Sequence, residues 1–203
     1  MPKLATDRRV QRTRKLLQDA LIGMMIEKGY ESTTVQDIID RANVGRATFY
    51  AHFADKQTLL ASSLEDLRTH LVEHQQRALV QPGDPEARSL GFSLAMLEHA
   101  RGHLQLWRGI VGRESGALVM QRIHHTIAEL AGIDLNALGF RGTPEQRLLA
   151  AEYIAGAFMS VLTWWLDHDA TLPPQEVNDI FRRLVMQGLA TELGRQPATR
   201  RGR

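Results

Sequence analysis

Arg46, Thr48, Tyr50 and His52 alternate along the decapeptide VGRATFYAHF (44–53), with Thr34 and Gln36 ahead of it and Lys56 just behind. An arginine fork matches O6 and N7 of guanine, a glutamine amide matches N6 and N7 of adenine, and a small apolar side chain fits a thymine methyl. Hydroxyl, phenol, imidazole and ammonium groups suit phosphate oxygens, which fix position and carry no base code. The residue types therefore point to nucleic-acid recognition. Arg46, Gln36 and Ala47 are candidates for base edges, and Thr34, Thr48, Tyr50, His52 and Lys56 for the backbone. The competing view is an ordinary helical corner in which Tyr50 and His52 only cover the core.

Wound as a helix, the segment sets Phe49 and Phe53 on one side and Ala47 and Ala51 near the opposite one. A solvated face usually carries Glu or Lys; two alanines flanked by hydroxyls leave a shallow surface that another body can approach closely. So short a helix is not stable alone, and the phenyl rings must pin it to its neighbours. Upstream, Thr34 is placed to cap a helix with Asp37 as its capping-box partner, and Val35, Ile38, Ile39 and Ala42 form the buried side. NVG (43–45) breaks that helix. Over 8–28, Val10, Leu17, Leu21, Met24 and Lys28 follow one helical stripe with Ala20 and Met25 beside it, and Gly29 stops it. Two helices joined by a tight turn, the second exposed, describe a helix-turn-helix, whose second helix enters the DNA major groove.

The stretch TTVQDIIDRANVGRATFYAHFADKQTLL (33–60) resembles the DNA-binding domain of the tetracycline-repressor (TetR) family of bacterial transcription regulators. The likeness covers about residues 8–60 and rests on the threonine cap, Ala42, Val44, Thr48, FYAHF, and Lys56 beside Leu59. It implies that Gln36, Arg46, Ala47, Thr48 and Tyr50 lie at or near base edges, and that Thr34, Tyr50, His52 and Lys56 hold phosphates. Beyond Lys56 the likeness is one of layout. It implies an all-helical domain that dimerises and takes a small-molecule effector.

Asp55 opens a further helix to about Val80, and QPGDPEA (81–87) ends it. Helices are expected over 86–102, 104–113, 115–131, 144–168 and 174–193, with a loop at 132–144. The fold class is all-α, with about nine helices. A helix-turn-helix domain with a basic arm occupies 1–54, a helical ligand-binding and dimerisation domain 55–194, and a basic, disordered tail 195–203. Candidate walls of a ligand pocket are Phe92, Met96, His99, His103, Trp107, Met120, His124, Tyr153, Phe158 and Trp164, each of which also suits plain core packing. The helix from Pro144 is apolar on two sides, through Ala151, Ala155, Phe158, Leu162 and Trp165 and through Tyr153, Ala157, Ser160 and Trp164. One side would face the core and the other a second subunit. The dimer interface is expected to use Ala151, Ala155, Leu162 and Trp165 with Val177, Phe181 and Leu184.

The chain has 203 residues, 43% hydrophobic and 24% charged, which suits a soluble globular protein. No apolar run of bilayer length and no secretion signal is expected, and absent cysteine excludes disulfides and thiolate sites, so a cytoplasmic location follows. The +2 net charge is uneven: Lys3, Arg8, Arg9, Arg12, Arg14 and Lys15 stand against Asp7 at one end, and Arg195, Arg200, Arg201 and Arg203 crowd the other. Such ends suit a polyanion, although terminal charges are also often merely solvated. His70 and His74, and likewise His99 and His103, are four apart, but spacing fixes no third ligand, so no metal or other cofactor is expected. GRESGA (112–117) lacks the strand and spacing of a nucleophile elbow and there is no glycine-rich phosphate loop, so no catalytic residue and no enzyme is expected. The expected function is a homodimeric repressor of a near-palindromic double-stranded DNA operator, responsive to a small molecule and not bound to a membrane. The alternatives are an activator of the same family and a helical protein-interaction module.

Overall fold

Helical periodicity is realised along nearly the whole chain. The computed structural model describes residues 2–110, 114–191 and 193–194, and among these there is no strand. The helices are α1 (Pro2–Lys28), α2 (Val35–Ala42), α3 (Arg46–His52), α4 (Lys56–Leu79), α5 (Pro85–Arg88), α6 (Gly91–Gly102), α7 (Leu104–Ile110), α8 (Glu114–Ala137), α9 (Pro144–Asp167) and α10 (Pro174–Gly188). α5 is a single turn, which leaves nine helices of seven residues or more. The expected disordered tail, 195–203, lies outside the described residues.

Two compact units divide the chain: residues 1–67 with 105–120, and 68–104 with 121–203. In the first, Leu17, Ala20, Leu21 and Met25 of α1 are buried, as are Ile38 and Ile39 of α2, Phe49 and Phe53, and Leu59 and Leu60 of α4. The α1 stripe is thus legible from Leu17 onward, whereas Val10 is exposed. In the second, α6 packs on α9 and α10. Its centre is a run of edge-on rings, Phe92 to Phe158 at 5.8 Å and Phe158 to Phe181 at 5.1 Å. Such contacts add roughly 0.5–1.5 kcal/mol each beyond area burial.

Three features differ from expectation. The helix expected over 86–102 is broken, because Leu90 adopts a left-handed conformation (φ 54°) between α5 and α6. α8 continues past Gly132 to Ala137, since burial of Leu135 outweighs the roughly 1 kcal/mol helix penalty of one glycine. The stop is Gly139 at φ 70°, where the Phe140 amide reaches back to the Leu135 carbonyl and closes a Schellman turn. Finally, α9 is long and apolar enough to cross a membrane by composition, contrary to expectation. Its composition follows from two apolar faces, and one of them, from Ala150 to Leu166, is buried within this unit.

Four histidines meet along α4 and α6. The rings of His70 and His74 are 4.5 Å apart, and those of His99 and His103 stack at 4.4 Å. Among the described residues no three potential ligands are arranged to hold a metal ion. Burial, followed by the neighbouring His103 and His70, pushes His99 from 6.5 down to about 4. The folded protein therefore prefers the neutral ring. This contribution is complete above about pH 6.5 and is lost as pH falls through about 4. Relative to His99→Gln, the wild-type protein should lose on the order of 2 kcal/mol across that window. Urea unfolding at stepped pH measures the difference, and parallel curves would show that His99 does not titrate this way.

Candidate nucleic-acid interface

The first unit builds its surface around two caps. Thr34 closes the start of α2 in a reciprocal box: its hydroxyl accepts from the Asp37 amide at 3.2 Å and its own amide donates to the Asp37 carboxylate at 2.7 Å. Lys28 adds an ion pair to the same carboxylate at 2.7 Å. That ammonium, then Thr34, holds Asp37 well below the usual carboxylate range. At the other end of α2, Asn43 turns left-handed (φ 51°), its amide bonding Asp40 and that of Val44 reaching Ile39. Asparagine tolerates this conformation better than most residues, so the turn into α3 is tight.

α3 is then fixed from one side. Phe49 is wholly buried and Phe53 nearly so, and their rings lie 6.3 Å apart. The Arg14 guanidinium of α1 sits 4.7 Å from the Phe53 ring centre and also donates to Ser62 at 2.7 Å. Tyr50 meets Phe49 edge-on at 5.3 Å and keeps its other side in solvent. Ala47 and Ala51 are exposed, Thr48 and His52 are half-buried, and Arg46 extends over the Tyr50 ring at 5.7 Å. The outcome is a nearly bare helical face edged by an arginine, a hydroxyl and a phenol. Exposed Gln36 on α2 lends its amide to Asp40 at 2.8 Å, and exposed Arg8, Arg9 and Arg12 lie on α1.

Lys56 has a task within its own unit. Its ammonium donates to three carbonyls of the α1–α2 loop, Thr33 at 2.8 Å, Tyr30 at 3.0 Å and Glu31 at 3.3 Å, and lies 4.5 Å from the Tyr30 ring. Three N–H donors facing three carbonyls tie the start of α4 to that loop. Asp55 beside it caps α4 by accepting from the Thr58 amide and hydroxyl at 2.7 and 2.8 Å. Arg14 was not singled out as a site residue. Its place beneath Phe53 depends on contacts 39 and 48 positions away, for which local sequence offers no signal.

The other candidates disperse. Phe92, Met96 and Phe158 belong to the core of the second unit, Tyr153 and Trp164 face solvent, and His103 is exposed with Nδ1 2.9 Å from the His99 carbonyl. His124 is half-buried, 3.6 Å from Glu152. Trp107 is buried and Met120 half-buried in the first unit. Two grooves within the second unit, of about 640 and 530 Å³, are lined by other residues, so these ten do not wall either. The expected dimer residues are also corrected. Ala151, Ala155, Leu162, Trp165, Val177 and Phe181 are buried in their own chain, and Leu184 alone of the seven is exposed, at 56%. Trp165 donates its indole N–H to the Leu172 carbonyl at 3.0 Å, which commits that face inward. The opposite stripe of α9 is outward, with Leu149 71%, Tyr153 53% and Trp164 52% exposed.

Residues 17–62 match the family described as bacterial regulatory proteins, tetR family, and residues 90–187 match one described as transcriptional regulator C-terminal region. The HTH-type transcriptional regulator YxbF of Bacillus subtilis is 28% identical over 172 residues, which cover 83% of this chain and 43% of that longer protein. The HTH-type transcriptional repressor KstR of Mycolicibacterium smegmatis is 25% identical over 174 residues, covering 84% and 82%. A solved TetR-family regulator from Syntrophomonas wolfei shares the fold with a TM-score of 0.73 at 19% identity, over 93% of this chain and 98% of that one.

The geometry of Lys56 makes a specific demand. Lys56→Met should lower unfolding stability by about 1–3 kcal/mol, since three loop carbonyls lose their donor. Denaturant titration checks this; an unchanged stability would return Lys56 to the role of a phosphate anchor.

Proposed function

The chain belongs to the TetR family of bacterial transcription regulators, and from that premise we propose that it is a homodimeric, effector-responsive repressor of a near-palindromic operator. One observation carries the reading: α3 keeps Ala47 and Ala51 bare while both phenyl rings on its other side are buried. That face enters the major groove, with Arg46 at a guanine edge, Gln36 at an adenine and Ala47 against a thymine methyl. Thr48, Tyr50, His52 and the capped start of α2 at Thr34 meet the phosphates. Arg8, Arg9 and Arg12 supply sequence-independent attraction, which weakens steeply with salt. The repressor assignment takes support from the name of KstR, and a cytoplasmic location follows from a DNA partner.

Dimerisation is proposed through the outward stripe of α9 with Leu184 of α10. Gly156 lies in the middle of this stripe, where a Cβ would meet nothing within 4 Å in its own chain. A glycine inside a helix weakens it by about 1 kcal/mol, and no neighbour in this chain requires it. Close approach of a second helix does. A two-fold axis between Gly156 and Ala157 sets Tyr153 opposite Ser160 of the partner subunit and Leu149 opposite Trp164 of the partner subunit. An effector that favours a differently tilted α4 by about 1–3 kcal/mol changes operator affinity roughly 5- to 150-fold.

Two experiments test these assignments. Ala51→Glu leaves the fold intact, because position 51 is exposed, yet should abolish operator binding, and Arg46→Ala should relax base preference by about 1–3 kcal/mol. Gel-shift titrations on matched and scrambled duplexes read both effects; wild-type affinity in Ala51→Glu would remove α3 from the groove. Gly156→Leu should give a folded monomer by light scattering. With no native cysteine, Leu149→Cys combined with Trp164→Cys should cross-link between subunits through a short bis-maleimide. A dimer that survives Gly156→Leu and never cross-links places the interface elsewhere.

A further inference from the structure

Side chains from three other helices converge on the break between α5 and α6. Asp134 of α8 accepts the Leu90 amide at 2.8 Å, and Gln75 of α4 accepts the Phe92 amide at 3.1 Å. Arg182 of α10 donates to the carbonyls of Glu86 at 2.7 Å, Ala87 at 2.9 Å and Ser89. Ser93 lies 2.6 Å from both the Leu90 carbonyl and Asn178 of α10. Leu90 itself holds a left-handed backbone, an uncommon conformation for a side chain of its size.

The weak point of this junction is Asp134. It is 1% exposed, and its second oxygen and the equally buried amide nitrogen of Gln75 lie close to each other without a well-formed hydrogen bond. Arg182 is the charged group that bears on it, but spends its N–H groups on backbone carbonyls and is itself drawn on by Asp179. The Gln75 side chain and the Leu90 amide are neutral. A carboxylate removed from water with one oxygen unanswered is a cost to the folded state. Burial pushes Asp134 from 3.8 up to about 6, against the opposing pull of Gln75, Leu90 and Arg182. A raised carboxyl contributes stability at low pH and loses it as pH rises through about 6.

We infer that Asp134 is a proton-sensitive latch on the α5–α6 break. Protonated, it is a neutral part of the core and the first turn of α6 stays closed. Ionised, it is an unanswered buried charge, and the route to hydration is to release Leu90 and open that turn. The strain at Leu90 makes this turn the part that gives first. Because the break is held from α4, α8 and α10, the latch sets how readily this unit loosens around α6. It goes beyond the regulator reading and does not depend on it.

Amide exchange at Leu90 and Phe92 is the deciding measurement, in the wild-type protein and Asp134→Asn at about pH 5 and pH 7.5. After correction for intrinsic rates, wild-type opening should be about tenfold more frequent at the higher pH, because about one pH unit separates pH 5 from the folded-state value of about 6. Asp134→Asn, which keeps an oxygen for the Leu90 amide and carries no charge, should show no such rise. It should also raise the unfolding midpoint by about 5 °C at pH 7.5 and by roughly half as much at pH 5. Exchange independent of pH in the wild-type protein overturns the latch, and that series decides alone if Asp134→Asn fails to fold. A midpoint lowered at both pH values would make the carboxylate a structural tie instead. His99 titrates with the opposite sign, so local exchange rather than the midpoint alone assigns the effect to Asp134.

Discussion

The burial of Phe49 and Phe53 is the constraint on which the recognition surface depends. A seven-residue helix has too few internal hydrogen bonds to persist alone, so α3 exists because two rings anchor it. Those rings take one side of the helix, and helical geometry then fixes what the other side presents. Alanines at 47 and 51 leave little but backbone there, while Arg46 and Tyr50 stand at the margin. Nakedness is therefore as much a product of the core as the anchoring is. Arg14 beneath Phe53 and Lys56 across the α1–α2 loop hold the frame without joining the bare face.

The same trade between faces governs α9, with a different result. Both of its stripes are apolar, so periodicity identifies two surfaces without ordering them. Only the fold decides, through Trp165 and its inward hydrogen bond to Leu172. Once that side is committed, Leu149, Tyr153 and Trp164 are left on the exposed side. Gly156 lies on that outward side, where a Cβ would meet nothing within 4 Å. The apolar composition that gives α9 membrane length thus comes from two apolar faces, one buried within this unit and the other left exposed.

Legibility in the sequence followed the range of the interaction. The Thr34–Asp37 box, the Asp55 cap and the Phe49–Phe53 side are set by residues three or four apart, and all three were readable. Lys56 was not, because its carbonyls lie 23 to 26 positions upstream. Gly132 looked like a stop and was not one, since Leu135 gains more from burial than glycine loses, and Gly139 alone takes the left-handed turn. Phe92, Met96 and Phe158, expected at a pocket wall, stand in the core for a related reason. Large aromatic side chains at helical spacing signal burial, and composition does not distinguish a filled core from a lined cavity.

The α5–α6 break shows how range and cost combine. Its holders come from 17 positions away at Gln75, 44 at Asp134 and more than 90 at Arg182, so the continuous helical pattern of 86–102 had no means of announcing it. Within the same first turn Phe92 meets the Phe158 ring, and further along α6 Ala95, Met96, Leu97 and Ala100 are buried. The helix is consequently divided: a polar, strained beginning that depends on the charge state of one carboxyl, followed by an apolar body that does not. Loosening confined to the break at Leu90 leaves the buried body of α6 from Ala95 onward in place. A domain that must change shape without unfolding is well served by that separation, because the energy of the change is drawn from one junction and not from the packing around it.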